Sequence, residues 1–473
     1  MKKIFCLLIS ICFYLSNGQN LVQEFSLELE KKTEYLTIFN SENNENGLFF
    51  FDKENMKCIK LNETLEVTTQ FNVARPDKKY YSILGYKNKG NLYTIYWSSK
   101  NDILEQNIDF NTQKVSSKIV EFKLKDEAVI NEITLGSKFY IVTIVKNSST
   151  LNIYSLEDTV IKKSFSFEDK RFFNSEGRTS TLWNLISEKR GMDKSYNMEM
   201  ILTETPPTLV KSSEKRKCFV FKNKIVLVFD NSLTSTQTVT LNLDDFTSSQ
   251  NVYSKPFVKE TEFGLVDSNS FIFDDKIIQL KMNNDKMIIL IKSFDNVEIK
   301  ALEINDDEEI KFKNSEIIQE NGNIEKRRVL DNTNKFLRKI NSEYPAISFY
   351  KKNNTILMTI GGVSPIKDNY APSYGGIIGG FSGSLIGSLL TSYSVSNVNS
   401  YNNRKVMYVN CLFDENFNHI PKEKVVNPFD SMRKFIHENE QIEKQIVFKI
   451  NEDLYLGGYD KKSLKYKFYK FSN

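Results

Sequence analysis

One two-strand pattern recurs seven times along this chain: a short apolar run, a tight polar turn often containing Asn-Lys or Asp-Lys, and a second, more continuously apolar run. It reads YLTIFNSENNENGLFFF from Tyr35, SILGYKNKGNLYTIYW from Ser82, ITLGSKFYIVTIV from Ile133 and FVFKNKIVLVF from Phe219. It continues as FIFDDKIIQLKM from Phe271, ISFYKKNNTILMTI from Ile347 and IVFKINEDLYLGGY from Ile446. Runs rich in Ile, Val, Phe, Tyr and Thr, broken by Asn, Asp, Lys or Gly, are strand and turn signals. A pattern repeated at this scale constrains the fold more than any single element does.

The second strands begin at Leu48, Leu92, Phe139, Ile225, Ile277, Ile356 and Leu454, and the closest neighbours are 44, 47 and 52 residues apart. That is close to the roughly 40–50 residues of a four-stranded propeller blade, and the longer gaps must hold insertions. Alternating runs such as TLNIYSL, VIKKSFSF and TVTLNL are available as outer strands. The last unit has room for one more strand, SLKYKFYKF, while the N-terminal region offers an orphan, EFSLELE, in which Phe25, Leu27 and Leu29 alternate. Pairing of the two would remove a sheet edge. The expectation is an all-β chain, a seven-bladed β-propeller with six or eight blades as alternatives. It resembles the seven-bladed propeller superfamily in general, without the WD dipeptide or the kelch double glycine. A β-sandwich array has the same local strand signal but would not explain the recurring pair. Two helices are expected as packing struts, Thr179 to Arg190 and Asn427 to Glu438.

Met1 to Asn20 reads as two lysines, an apolar run from Ile4 to Leu15 and Ser16-Asn17-Gly18, a secretory signal cleaved after Gly18. The run is too short for a membrane span. The expected organisation is a signal peptide over 1–18 and a single propeller domain over 19–473, with a glycine-rich insertion at 363–403 in the sixth unit. The protein is then exported, to the periplasm or the outer membrane, and is expected to be monomeric by itself. The cysteines outside the signal, Cys58, Cys218 and Cys411, are widely spaced and sit in apolar runs, where they read as buried thiols.

The search for chemistry excludes more than it finds. The net charge is +4 and gives no reason to expect nucleic acid. No phosphate loop, HExxH, GxSxG or CxxC motif occurs, and the two histidines, His419 and His437, cannot build a three-histidine zinc site. No cofactor or metal is expected, and catalysis would have to come from carboxylates on separate strands. The acidic spot Asn305 to Glu309 and the basic runs Lys215-Arg216-Lys217 and Lys326-Arg327-Arg328 read as solvated surface.

One segment belongs to no blade. Asn369 to Asn403 contains 35 residues without a charge, although 26% of the chain is charged. Within it, YGGIIGGFSGSLIGSLL places Gly375, Gly379, Gly383 and Gly387 at four-residue spacing, with Ile377, Ile378, Phe381, Leu385, Ile386 and Leu389 around them. Such a small-xxx-small row lets an apolar helix approach another backbone closely. Glycines cost an isolated helix about 1 kcal/mol each, so a helix here needs an apolar or protein surround. A flexible loop is the alternative, but a loop has little use for Ile-Ile, Leu-Ile and Leu-Leu. These ten residues are the candidate partner-binding site.

An export signal combined with an uncharged insertion on a β-rich chain resembles the plug subunit of the type 9 secretion translocon. That resemblance implies protein binding without catalysis. Two readings result. The first is a non-enzymatic exported propeller that binds an outer-membrane protein or membrane surface through the insertion. The second is a secreted glycan-binding or glycan-cleaving propeller using scattered carboxylates and aromatics such as Trp97.

Overall fold

A computed structural model of the chain describes residues 19–30, 32–40, 43–188, 196–203, 205–260, 265–365, 398–421 and 427–471. The expected signal peptide at 1–18 and most of the glycine-rich segment, 366–397, lie outside them.

The seven signatures are seven antiparallel hairpins, and each opens a sheet of four or five strands. Sheet I comprises Glu34–Asn40, Glu45–Phe51, Asn55–Leu61 and Val67–Ala74; sheet II comprises Ser82–Lys89, Leu92–Ser98, Ile103–Asp109 and Lys114–Val120. Sheet III comprises Glu127–Leu135, Lys138–Val145, Thr150–Leu156 and Val160–Ser166. Sheet IV runs Arg216–Phe221, Lys224–Phe229, Ser235–Asn242 and Ser248–Ser254, with Glu199–Ile201 added parallel to its first strand. Sheet V comprises Asp267–Phe273, Lys276–Met282, Lys286–Ser293 and Glu298–Asn305. Asn-Lys and Asp-Lys turns make the hairpins tight because Asn and Asp tolerate the left-handed region: Asn223 has φ +58° and Asp274 φ +52°.

Sheets VI and VII depart from simple succession. Sheet VI contains Tyr344–Lys352, Thr355–Val363 and Lys405–Phe413, but its next strand is Ile318–Asn321, which precedes all three in sequence, followed by Arg328–Val329. In sheet VII, Ile442–Ile450, Asp453–Asp460 and Lys465–Phe471 are completed by the N-terminal strand Gln19–Ser26, antiparallel to Lys465–Phe471. The closing strand therefore starts upstream of EFSLELE and stops at Ser26. Phe25 stacks on Tyr466 at 5.8 Å, whereas Leu27 and Leu29 leave the strand and pack where sheet VII meets sheet I.

The apolar interior is a series of inter-sheet seams. Phe51 and Trp97 join I to II, Tyr96 and Phe139 join II to III, Ile144 and Phe229 join III to IV, and Phe219, Phe271 and Phe349 join IV, V and VI. Phe50 and Phe468 bring VII back to I. The first strand of a sheet is buried and the fourth is exposed along much of its length, as Val67–Ala74 and Lys114–Val120 are.

Four helices fill the long gaps among the described residues. Helix α1, Leu182–Ser187, is shorter than expected: Thr181 caps it, and Thr179–Ser180 instead pairs with Phe172–Phe173 in a ribbon. Helix α2, Leu209–Ser212, and helix α3, Thr333–Asn341, were not anticipated; α3 is capped by Asn332 and buries Phe336, Leu337 and Ile340. Helix α4, Pro428–Glu438, agrees with the sequence reading, with Asn427 as its cap and Phe429, Met432 and Phe435 buried. Gly361 and Gly362 are required by close packing: a Cβ at Gly361 would lie 2.0 Å from Met407 O, and one at Gly362 would lie 3.0 Å from Ile340 Cα of α3.

Candidate functional site

The uncharged segment leaves and re-enters the fold at one place, between Thr355–Val363 and Lys405–Phe413 of sheet VI. Those strands stay in register up to the pair Val363 and Val406. Beyond that pair, Ser364 N donates to Lys405 O at 2.8 Å, Lys405 N donates to Ser364 Oγ at 2.9 Å, and an Arg404 guanidinium nitrogen donates to Ser364 O at 3.2 Å. The root is therefore clamped. Gly375, Gly379, Gly383, Gly387, Ile377, Ile378, Phe381, Leu385, Ile386 and Leu389 all lie outside the described residues. The re-entering end is part of the fold: Val398 is fully buried against Phe429, Met432 and Phe435 of α4.

Beside this root lies a small open cleft lined by Pro206, Pro207, Val398, Tyr401, Tyr408 and Phe429. Its polar side is a buried ion cluster. Glu320, from the early strand of sheet VI, is 0% exposed and receives Arg433 of α4 through both carboxylate oxygens, at 3.0 and 2.5 Å. Arg327 Nε donates to Glu320 Oε1 at 2.7 Å, and its other arm donates to Asp430 Oδ1 at 2.8 Å. The Tyr408 hydroxyl lies 3.1 Å from both Glu320 Oε1 and Asp430 Oδ2, and Arg433 stacks over Tyr401 at 4.6 Å. Burial alone would raise the Glu320 carboxyl; the two guanidiniums overcome it and hold it below the usual carboxylate range. At Asp430 burial wins over the same arginines and the carboxyl is raised.

Two acids and two arginines thus neutralise one another and satisfy one another's hydrogen bonds. Chemically the cluster is a staple that fixes α4 and the early strand of sheet VI around Tyr408. Sequence reasoning missed it because Glu320 and Arg433 are 113 residues apart. One signal was present: Arg433 lies four residues after Phe429 and one after Met432, on the apolar stripe of its own helix.

The basic runs need correction. In Lys215-Arg216-Lys217, Arg216 and Lys217 are both buried, Lys217 where sheets IV and V meet and Arg216 on the opposite face, where it donates to Asn197 O at 3.2 Å. Lys217 Nζ donates to Ser212 O at 3.2 Å, Glu214 O at 2.7 Å and Asn269 Oδ1 at 3.2 Å, all uncharged oxygens. Burial lowers it to about 7. Nearby, Lys255 and Asp230 form an ion pair of 2.6 Å with both side chains fully buried, and Lys215 pairs with Asp267 at 2.8 Å. Burial lowers Lys255 to about 8, while the surrounding lysines overcome the burial of Asp230 and bring it to about 2. In Lys326-Arg327-Arg328, Arg327 belongs to the Glu320 cluster rather than to open solvent.

Asp306 and Asp307, in the expected acidic turn, do occupy one. Cys58, Cys218 and Cys411 are free and buried, and burial pushes the first two thiols up to about 12. His419 Nε2 lies 3.1 Å from Asn314 Oδ1, and His437 Nε2 lies 2.9 Å from Glu325 Oε1, so the two are engaged separately. Among the described residues no group of three or more His, Cys, Asp or Glu is placed to hold a metal ion, and no helix is long and apolar enough to cross a membrane. Trp97 is buried, with Nε1 donating to Gln106 Oε1 at 3.0 Å, and offers no exposed ring for a sugar.

No family model matches the chain, and no curated protein matches it. Among solved structures it is similar to Hsv2 of Kluyveromyces lactis, at 10% identity and a TM-score of 0.33, covering 92% of this chain and 97% of that one. The β-propeller domain of Nup133 from Vanderwaltozyma polyspora gives 12% identity and a TM-score of 0.31, covering 94% and 99%. A variant of the apocarotenoid oxygenase of Synechocystis gives 8% and 0.27, covering 59% and 62%. At these scores the likenesses carry no argument, and the all-β assignment rests on the strand order and register of the sheets themselves.

Proposed function

We propose that the seven sheets are the blades of a seven-bladed β-propeller and that the chain is a non-enzymatic, exported binding protein. Its partner is an outer-membrane protein or the membrane surface, engaged through the glycine-rich segment. An outer-membrane secretion channel is the partner that the resemblance to the type 9 plug implies. The observation that carries this reading is the 35-residue run without charge, which holds its four evenly spaced glycines and is rooted in a clamped hairpin of sheet VI. Excluding charge over such a length suits a surface where a carboxylate or ammonium would have to be desolvated.

The test follows the folded boundaries. Because Val398 and Tyr401 pack in the fold, the deletion should span residues 371–397 and keep Val398–Asn403. The deleted protein should retain its β-rich spectrum and cooperative melting while losing co-purification with outer-membrane protein from detergent-solubilised envelope. Gly379→Asp with Gly383→Asp should do the same. Full association in both variants would overturn the reading.

A further inference from the structure

The first strand of sheet III, Glu127–Leu135, has a bulge between Val129 and Asn131 and carries Glu132 just beyond it. Glu132 stands directly opposite Ile141, so the two side chains share a face. Ile141 belongs to the apolar seam between sheets II and III, with Leu84, Tyr96 and Phe139. Two positions on, the Thr134 hydroxyl donates across that seam to Tyr86 O of sheet II. Glu132 is 1% exposed, and neither of its carboxyl oxygens has a hydrogen-bond partner on another residue; its own backbone N–H is the one group that favours the charged form. Buried polar groups are otherwise almost always paired, so an orphaned carboxyl inside an apolar seam calls for a physical account.

Charged neighbours do not supply one. On the first strand of sheet II, Lys87 donates to Leu156 O; on the second strand of sheet III, Lys138 pairs with Glu157. Farther into sheet II, Glu105 pairs with Lys118, and on Glu132's own strand Glu127 is held by Lys162, Tyr154 and Thr143. The tyrosines of the seam, Tyr86, Tyr96 and Tyr154, add no positive charge.

We propose that Glu132 is a proton-dependent weak point of the seam between sheets II and III. With the carboxyl protonated the seam is closed, and loss of that proton favours a local opening that lets water reach the carboxylate. Burial, with no compensating charge, raises this carboxyl from 4.5 to about 8. The sign follows from linkage: the closed state holds the proton more tightly than the open one. The seam is therefore firmest below the ordinary carboxylate pKa and loosens as pH rises toward about 8, with no further loss above. Within that window the open population rises by up to about tenfold per pH unit. This inference is independent of the partner reading above.

Native-state hydrogen exchange on the full chain tests it. After correction for intrinsic rates, the opening equilibrium of amides from Val129 to Thr134 should rise by roughly a few hundredfold between pH 5 and pH 8. The Glu132→Gln variant should show no such rise. A flat profile in the wild-type protein, or the same slope in the variant, would overturn the proposal. If the variant fails to fold, infrared titration of wild-type protein labelled with ¹³C-carboxyl glutamate decides: one carboxyl titrating near 8 supports the proposal, and all titrating in the ordinary range refute it.

Discussion

Glu320 and Glu132 are both glutamates withdrawn from solvent on strands of neighbouring design, yet they titrate in opposite directions. Glu320 meets two guanidiniums, one of them through both oxygens, and is held ionised. Glu132 meets apolar side chains and is held neutral. Both are almost wholly withdrawn from the surface; the difference is whether the chain delivers a cation from another element. Sheet VI receives one because α4 folds back over it, whereas sheets II and III are plain four-stranded units with no helix between them. A buried carboxyl group therefore fastens one part of this molecule when ionised and weakens another when it loses its proton.

The harshest way to break the contrast is Arg433→Met. It would leave Glu320 buried with only part of its compensation, a loss of about 3–5 kcal/mol by denaturant unfolding. A loss under about 1 kcal/mol would mean that Arg327 alone suffices. Next comes the pH dependence of the two regions in one molecule. Glu320, with its pKa depressed, contributes stability that is present above the ordinary carboxylate range and is lost as pH falls through its folded value. Asp430 of α4, raised by burial, would work against this on acidification, so the comparison is made in an Asp430→Asn variant: lowering the pH from 7 to 4 should there increase exchange in α4 while decreasing it around Glu132, and parallel changes would refute the opposition.

A smaller effect is expected from Gly85→Ala in the seam of sheets II and III. The new Cβ would sit 2.1 Å from Phe139 Cε2, and overpacking of this kind costs about 1–3 kcal/mol, read as a lowered midpoint at constant m. Lys351→Ala is the control. Its pair with Glu415 is exposed, and its removal should change stability by no more than about 0.5 kcal/mol. A larger change there would show that surface pairs matter in this fold and would blunt the comparison.

The hairpins were legible because their information is local: alternation and an Asn-Lys or Asp-Lys turn lie within about fifteen residues of each other. Helix α4 was legible for the same reason, through Asn427, Pro428 and the spacing of Phe429, Met432 and Phe435. What the sequence concealed is non-local. A run such as Lys215-Arg216-Lys217 looks solvated until sheet V supplies Asn269 and Asp267 and the end of α2 supplies Ser212 O. The early outer strand of sheet VI was equally hidden, since Ile318–Asn321 is short and its partner, Lys405–Phe413, lies beyond the hairpin of that sheet in sequence. The glycine-rich segment stands out by its lack of charge and its four-residue glycine spacing, and its candidate residues lie outside the described ones.

The closing strand also sets a clock. Gln19–Ser26 is among the first elements made, but its partner, Lys465–Phe471, is among the last, with Glu24 and Lys465 separated by 441 positions. Until that far segment is in place, the early strand has no companion in its sheet. Throughout that interval Leu21 and Val22, still partly exposed in the finished molecule, sit on an unpaired strand able to template association with other chains. Loss of Lys465–Phe471 would leave that strand without its partner.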